Sequence, residues 1–114
     1  MAKQGEIVLI PIPFTDLSSQ KRRPVVIVSN DAYNGKSTDI VVVAMTSNPA
    51  SVDYSFTITS TDLEKGTLNR PSKVRVAKIY TLSQSIVVKT FGQVNAKTLE
   101  RIRQILQDLT GKKT

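Results

Sequence analysis

Lys21-Arg22-Arg23-Pro24 sets three cations side by side, directly ahead of a run of Val and Ile. A guanidinium is a planar fork that donates paired hydrogen bonds, which suits phosphate recognition. The same charges would serve equally well in a solvated turn that blunts a strand edge. Thr46-Ser47-Asn48 closes a second apolar run, residues 40–45, and offers three consecutive polar side chains to a phosphate or a base edge. On spacing alone they are also an ordinary strand end before Pro49. Lys73 and Arg75 stand two apart in an alternating stretch, so they share a strand face that either extends a phosphate track or faces water.

The residue types that are missing narrow the chemistry further. The chain has no His, which removes the usual general acid or base at neutral pH and the commonest metal ligand. It has no Cys, so thiolate chemistry and disulfides are excluded and a zinc site would need carboxylates alone. Carboxylates do not cluster anywhere along the chain, so neither a metal nor another cofactor is expected. Catalysis would fall to Arg, Lys, Ser, Thr, Tyr or isolated carboxylates. No Gly-rich phosphate loop or nucleophile elbow is present. Three Phe, three Tyr and no Trp are too few for a base-stacking sheet of the RNP type. Sixteen Lys and Arg against nine Asp and Glu give a net charge of +7, a field that attracts polyanions or an acidic protein partner.

The elements that must position these residues are short. A length of 114 residues fits a single domain, 1–114, and the recurring Val and Ile runs favour strands. Strands are expected at 5–10, 24–29, 39–46, 54–59 and 73–79, with shorter ones near 86–88 and 91–94. Pro11 and Pro13 suggest that the first is an edge or bends. Residues 30–37 read as a loop around Asn34-Gly35, and about 60–72 as a second polar loop. The period then changes: Leu99, Ile102, Ile105, Leu106 and Leu109 form one helical stripe. Asn95 is placed as its N-cap, Val94 and Leu99 as a hydrophobic staple, and Gly111 as its C-terminal cap. The fold class is mostly β (α+β): a small barrel-like domain crossed by a C-terminal helix. The longest apolar run, 40–45, is too short to span a bilayer, and the N-terminus has no apolar signal segment, so the expected location is cytoplasmic with no membrane contact.

Several segments, in order, resemble the MazF/PemK toxins of type II toxin–antitoxin systems. They are Gly5-Glu6-Ile7-Val8, Pro13-Phe14-Thr15-Asp16 and the stretch from Lys21 to Asn30, then Val42-Val43-Ala44-Met45-Thr46-Ser47. Pro71-Ser72-Lys73-Val74-Arg75-Val76, Lys78-Ile79-Tyr80-Thr81-Leu82 and Gly92-Gln93-Val94 continue the likeness, which covers nearly the whole chain. It implies a homodimer of SH3-like barrels acting as an endoribonuclease on single-stranded RNA, mRNA in particular, without metal. It also implies a labile, acidic, MazE-like antitoxin as partner. The family's catalytic Arg, directly before the strand-opening Pro, matches Arg23, and its catalytic Thr matches Thr46. Lys21, Arg22, Lys73 and Arg75 are then expected on phosphates, and Ser47, Asn48 and Ser18-Ser19-Gln20 on bases. An Arg that some members use in the third motif is matched by Arg75, but the acidic position there is Ala77 and the first-loop His has no counterpart. The acid–base scheme of those members therefore does not carry over. Attack by the RNA's own 2′-hydroxyl, giving a cyclic phosphate and a 5′-hydroxyl, suits a chain without Cys or His. The base stays open between Asp16, a water molecule and a guanidinium perturbed by neighbouring cations. Arg23 suits an electrostatic clamp or a general acid, but a guanidinium gives up its proton too reluctantly to be a good general base. Two rivals keep the barrel and drop the cleavage: a non-catalytic RNA- or partner-binding barrel, and a CcdB-like gyrase poison acting through the C-terminal helix.

Overall fold

The computed structural model describes residues 2–11 and 21–113. Their strands are β1 (Glu6–Pro11), β2 (Arg22–Ile27), β3 (Asp39–Thr46), β4 (Ser55–Ile58), β5 (Leu63–Lys65), β6 (Ser72–Ser83) and β7 (Lys89–Val94), with helices α1 (Asp31–Lys36) and α2 (Ala96–Thr110). The strands form one seven-stranded sheet in the order β4-β6-β3-β2-β1-β7-β5. Every pairing in it is antiparallel.

A short connection forces this sheet to curl. The two edge strands, β4 and β5, are consecutive in sequence and joined only by residues 59–62. Laid flat, seven strands at ~4.8 Å per gap would hold their edges about 29 Å apart. The chain from Ile58 to Leu63 reaches at most about 18 Å when fully extended. It is not extended, because Ser60–Asp62 form a 3₁₀ turn in which Thr59 N donates to the Asp62 carboxylate at 2.8 Å. The sheet therefore wraps into an open barrel.

Both faces of the curled sheet are apolar. Ile7, Val26, Val43, Met45, Val74 and Val76 pack on one face together with Ile102 of α2. Val8, Ile10, Val25, Ile27, Ile40 and Val42 pack on the other, flanked by Tyr80, Leu82, Ile86 and Val87. Successive strand residues point to opposite faces, so the unbroken Val25-Val26-Ile27 run is buried on both sides.

Helix α2 lies along the first face. Ile102 is fully buried there, and Leu99, Ile105 and Leu106 are half-buried against the same cluster, which also holds Val94. Asn95 Oδ1 accepts from Thr98 N at 2.8 Å, and Gly111 N donates to Asp108 O at 3.3 Å, so both expected caps are in place. The Asp62 carbonyl accepts from Asn95 N at 2.9 Å and from the buried Thr98 hydroxyl at 3.2 Å. The turn that closes the sheet thus also fixes the start of the helix.

Five elements differ from the sequence reading. Residues 30–37 hold helix α1, not a loop: Asn30 Oδ1 caps it by accepting from Tyr33 N at 2.8 Å. Its Asn34 is buried, with its amide donating to Ser29 O at 2.9 Å and its carbonyl accepting from Gln84 Nε2 at 2.8 Å. The 60–72 segment contains the 3₁₀ turn and β5, and β6 runs on to Ser83 while Gln84–Ile86 form a 3₁₀ turn in place of a strand. Strand β1 is interior, between β2 and β7. Pro11 is tolerated because the β7 ladder ends at Leu9–Lys89, leaving its missing N–H with no β7 partner. Among the described residues no helix is long and apolar enough to cross a membrane.

Gly66 has φ +89°, and a Cβ there would stand 2.5 Å from Phe91 O and 2.9 Å from Gly92 Cα on β7. Gly66→Ala is expected to cost about 1–3 kcal/mol, by analogy with other strained backbone positions. At Gly111 a Cβ would meet nothing closer than 3.4 Å, and Gly111→Ala should change stability by a few tenths of a kcal/mol at most. Urea unfolding of the two variants checks this: a lowered midpoint for the first only, at unchanged slope, is the expected result.

Candidate active site

Three neighbouring strands bring the candidate residues together. Val25 of β2 pairs with Ala44 of β3, and Ala44 pairs with Arg75 of β6, so these three stand in a row on one face of the sheet. Carried two residues further, the same β2–β3 register sets Arg23 opposite Thr46, whose β6 partner is Lys73. Strand β2 starts before Pro24, and its first two residues are held by β1 through the pairs Pro11–Arg22 and Ile10–Arg23. Arg22 and Arg23 are thus strand residues with fixed backbones.

The cleft at these strand ends has two lobes that share Arg23, Pro24, Met45 and Thr46. One lobe, about 360 Å³, adds Lys21, Arg22, Ser47 and Ser72. The other, about 270 Å³, adds Val25, Ala44, Arg75, Lys78 and Tyr80. Lys21, Arg22, Arg23, Arg75 and Lys78 give the cleft five cations, and no Asp or Glu among the described residues lines either lobe. Thr46 Oγ1 accepts from Asn48 N at 3.1 Å, which leaves its own proton to donate elsewhere. Arg75 Nε is buried and has no hydrogen-bond partner. A buried, unpaired guanidinium N–H is costly to the free protein and is a ready donor for an anion. Among the described residues no group of three His, Cys, Asp or Glu comes together to hold a metal ion.

Of the residues singled out in the sequence, Lys21, Arg22, Arg23, Thr46, Ser47 and Arg75 meet in this cleft. Lys73 and Asn48 do not line it. The Lys73 ammonium donates to Pro49 O at 3.3 Å and also to Ala50 O, while Asn48 Oδ1 accepts from Ala50 N at 3.0 Å. These two brace the loop that follows β3. Asp16 and Ser18-Ser19-Gln20 lie outside the described residues.

Ser72, Lys78 and Tyr80 join the site without having been singled out as binding residues. Alternation alone puts Arg75 and Tyr80 on opposite faces of a strand. The β3–β6 ladder breaks between them: Val43 faces Ile79, but its neighbour Ala44 faces Arg75, so residues 76–78 have no counterpart on β3. This bulge returns Tyr80 to the face of Arg75, and Val76 N anchors it from the far side by donating to Tyr54 O at 2.9 Å.

Comparison with known proteins agrees with this architecture. The endoribonuclease MazF9 of Mycobacterium tuberculosis is 29% identical over 113 residues, spanning 94% of both proteins. A mycobacterial endoribonuclease solved in complex with its cognate antitoxin shares the fold, with a TM-score of 0.76 at 19% identity, over 100% of this chain and 99% of that one. A MazE–MazF structure from Deinococcus radiodurans does so with a TM-score of 0.77 at 22% identity, over 98% of each chain. The family model of the PemK-like, MazF-like toxins matches residues 3–110. The chain therefore belongs to the PemK-like, MazF-like toxins of type II toxin–antitoxin systems.

Proposed function

We propose that this toxin is a metal-independent endoribonuclease that cuts single-stranded RNA in the two-lobed cleft, with Arg23 and Thr46 as its catalytic residues. The observation that carries the reading is their meeting: a guanidinium from β2 and a hydroxyl from β3 share a cleft with the unpaired Nε of Arg75. Cations and hydroxyls supply there the charge stabilisation that a metal ion would otherwise provide. The same cations repel a divalent ion, and no described carboxylate lines the cleft to hold one.

In the reaction the 2′-oxygen attacks the adjacent phosphorus, the O2′–P bond forms and the P–O5′ bond breaks. The products are a 2′,3′-cyclic phosphate and a 5′-hydroxyl. Negative charge builds on the non-bridging oxygens, to which Arg23 and Arg75 donate hydrogen bonds and Thr46 adds its hydroxyl. One preorganised donor of this kind is worth ~10²–10³ in rate. Lys21 and Arg22 hold a flanking phosphate in the first lobe, and Ser47 meets a base edge. DNA has no 2′-hydroxyl and is not cut.

The toxin acts as a homodimer in the cytoplasm, where its mRNA substrate is. An acidic antitoxin segment restrains it by setting carboxylates in the cation-lined cleft. The relatives solved together with their antitoxins support this pairing.

Incubation with a long single-stranded RNA in EDTA, with 5′-end mapping, is expected to give discrete cuts. Arg23→Ala should lower that rate ~10²–10³-fold. Loss of cutting in EDTA, or full cutting by the variant, would contradict the proposal. Binding of an uncleavable 2′-O-methyl copy should weaken steeply with salt, with the slope of log K against log salt falling by about 0.7 for each phosphate contact removed. Arg22→Ala tests this directly: an unchanged slope would remove Arg22 from the phosphate track.

A further inference from the structure

Protonation of the departing 5′-oxygen has no ready donor among Arg23, Thr46 and Arg75, the residues placed at the reacting phosphate. A guanidinium gives up its proton reluctantly, and the chain has no His. No described carboxylate lines the cleft. Two ammonium groups do, Lys21 in one lobe and Lys78 in the other, and only Lys78 shares its lobe with Arg23, Thr46 and Arg75 together. Lys78 belongs to the bulge that has no partner on β3, its side chain is exposed, and no carboxylate among the described residues pairs with it. An ammonium on a four-carbon stem offers three rotatable donors and gives up a proton more readily than a guanidinium does.

We infer that Lys78 is the general acid of the cleavage, its Nζ giving a proton to the 5′-oxygen as the P–O5′ bond breaks. This inference rests on the nuclease reading above. The balance is complete without a co-reactant. The 2′-hydroxyl proton passes to water as O2′–P forms, the Nζ proton passes to O5′ as P–O5′ breaks, and the neutral amine regains a proton from water. Arg23 and Arg75 stay protonated throughout and stabilise the phosphorane. The register break thus does chemical work: it lifts one cation out of the ladder beside two that are locked into it.

The test compares two RNA oligonucleotides carrying the mapped cleavage site, one natural and one with sulfur in place of the 5′-bridging oxygen. Sulfur leaves as a thiolate and needs no proton. Lys78→Ala should lower kcat on the natural RNA ~10²–10³-fold, within the range of general acid catalysis, with KM changed only a few-fold. On the sulfur-linked RNA it should match the wild-type chain to within about threefold. Arg23→Ala should be slow on both. Equal losses on the two substrates would reduce Lys78 to a charge or a strut and overturn the inference. So would an unchanged rate on natural RNA, or sulfur rescue of Lys21→Ala or Tyr80→Phe in place of Lys78→Ala. A wild-type chain that cuts neither RNA would overturn the nuclease reading itself, and this inference with it.

Discussion

Sliding β2 by one residue along β3 would carry Val26 from the α2-covered face to the opposite one and send Val25 and Ile27 the other way. All three are buried to 2% exposure or less, and each is packed into a cluster specific to its own face. Burying one such side chain is worth about 1.5–3 kcal/mol, so a slip that misplaces several at once is not competitive. The same argument holds for Val43 and Val74 across β3 and β6. Arg23, Thr46 and Arg75 ride on these strands without contributing to that sorting. Their meeting at one cleft is a consequence of the apolar register, which is why the site can be polar and cationic while the fold beneath it is set by Val and Ile.

The cleft gathers like charges where a stability-optimised protein would disperse them. Five cations converge, the Nε of one guanidinium is buried without a partner, and no described carboxylate intervenes. Such an arrangement destabilises the free protein and favours an anionic occupant. Pairing of Arg22 and Arg23 with β1 fixes their backbones in advance, so less ordering entropy is lost when a phosphate arrives. The closing turn contributes from a distance. Residues 59–62 hold the sheet curled and accept the first hydrogen bonds of α2, keeping Val26, Val43 and Val74 covered and the register fixed.

Much of this was legible in the sequence wherever a pattern repeats or a cap is local. The bounds of β3 and the Asn95 and Gly111 caps of α2 follow from an apolar run and a helical stripe with its capping residues. Helix α1 was not legible: six residues carrying Asn34-Gly35 look like a turn, and beyond the Asn30 cap it is the burial of Asn34 against Ser29 and Gln84 that holds them helical. Pro11 and Pro13 pointed to an edge or a bend in β1, yet whether β7 reaches as far as Pro11 is decided across the sheet. Lys78 and Tyr80 were hidden for a sharper reason. Period-2 reasoning assumes an unbroken ladder, and the three unpaired residues of the bulge reverse the faces beyond it. Lys73 and Asn48 fell at strand ends as expected, but local backbone groups engage the Lys73 ammonium and the Asn48 Oδ1.

The central claim is that the substrate supplies its own nucleophile to a cleft whose described lining contributes cations and hydroxyls and no carboxylate. Mass spectrometry of the fragment ends made in EDTA tests it most directly. The account predicts a 2′,3′-cyclic phosphate on one fragment and a 5′-hydroxyl on the other at every cut. Fragments ending in a 3′-hydroxyl and a 5′-phosphate would mean that water attacked the phosphorus, and would contradict it.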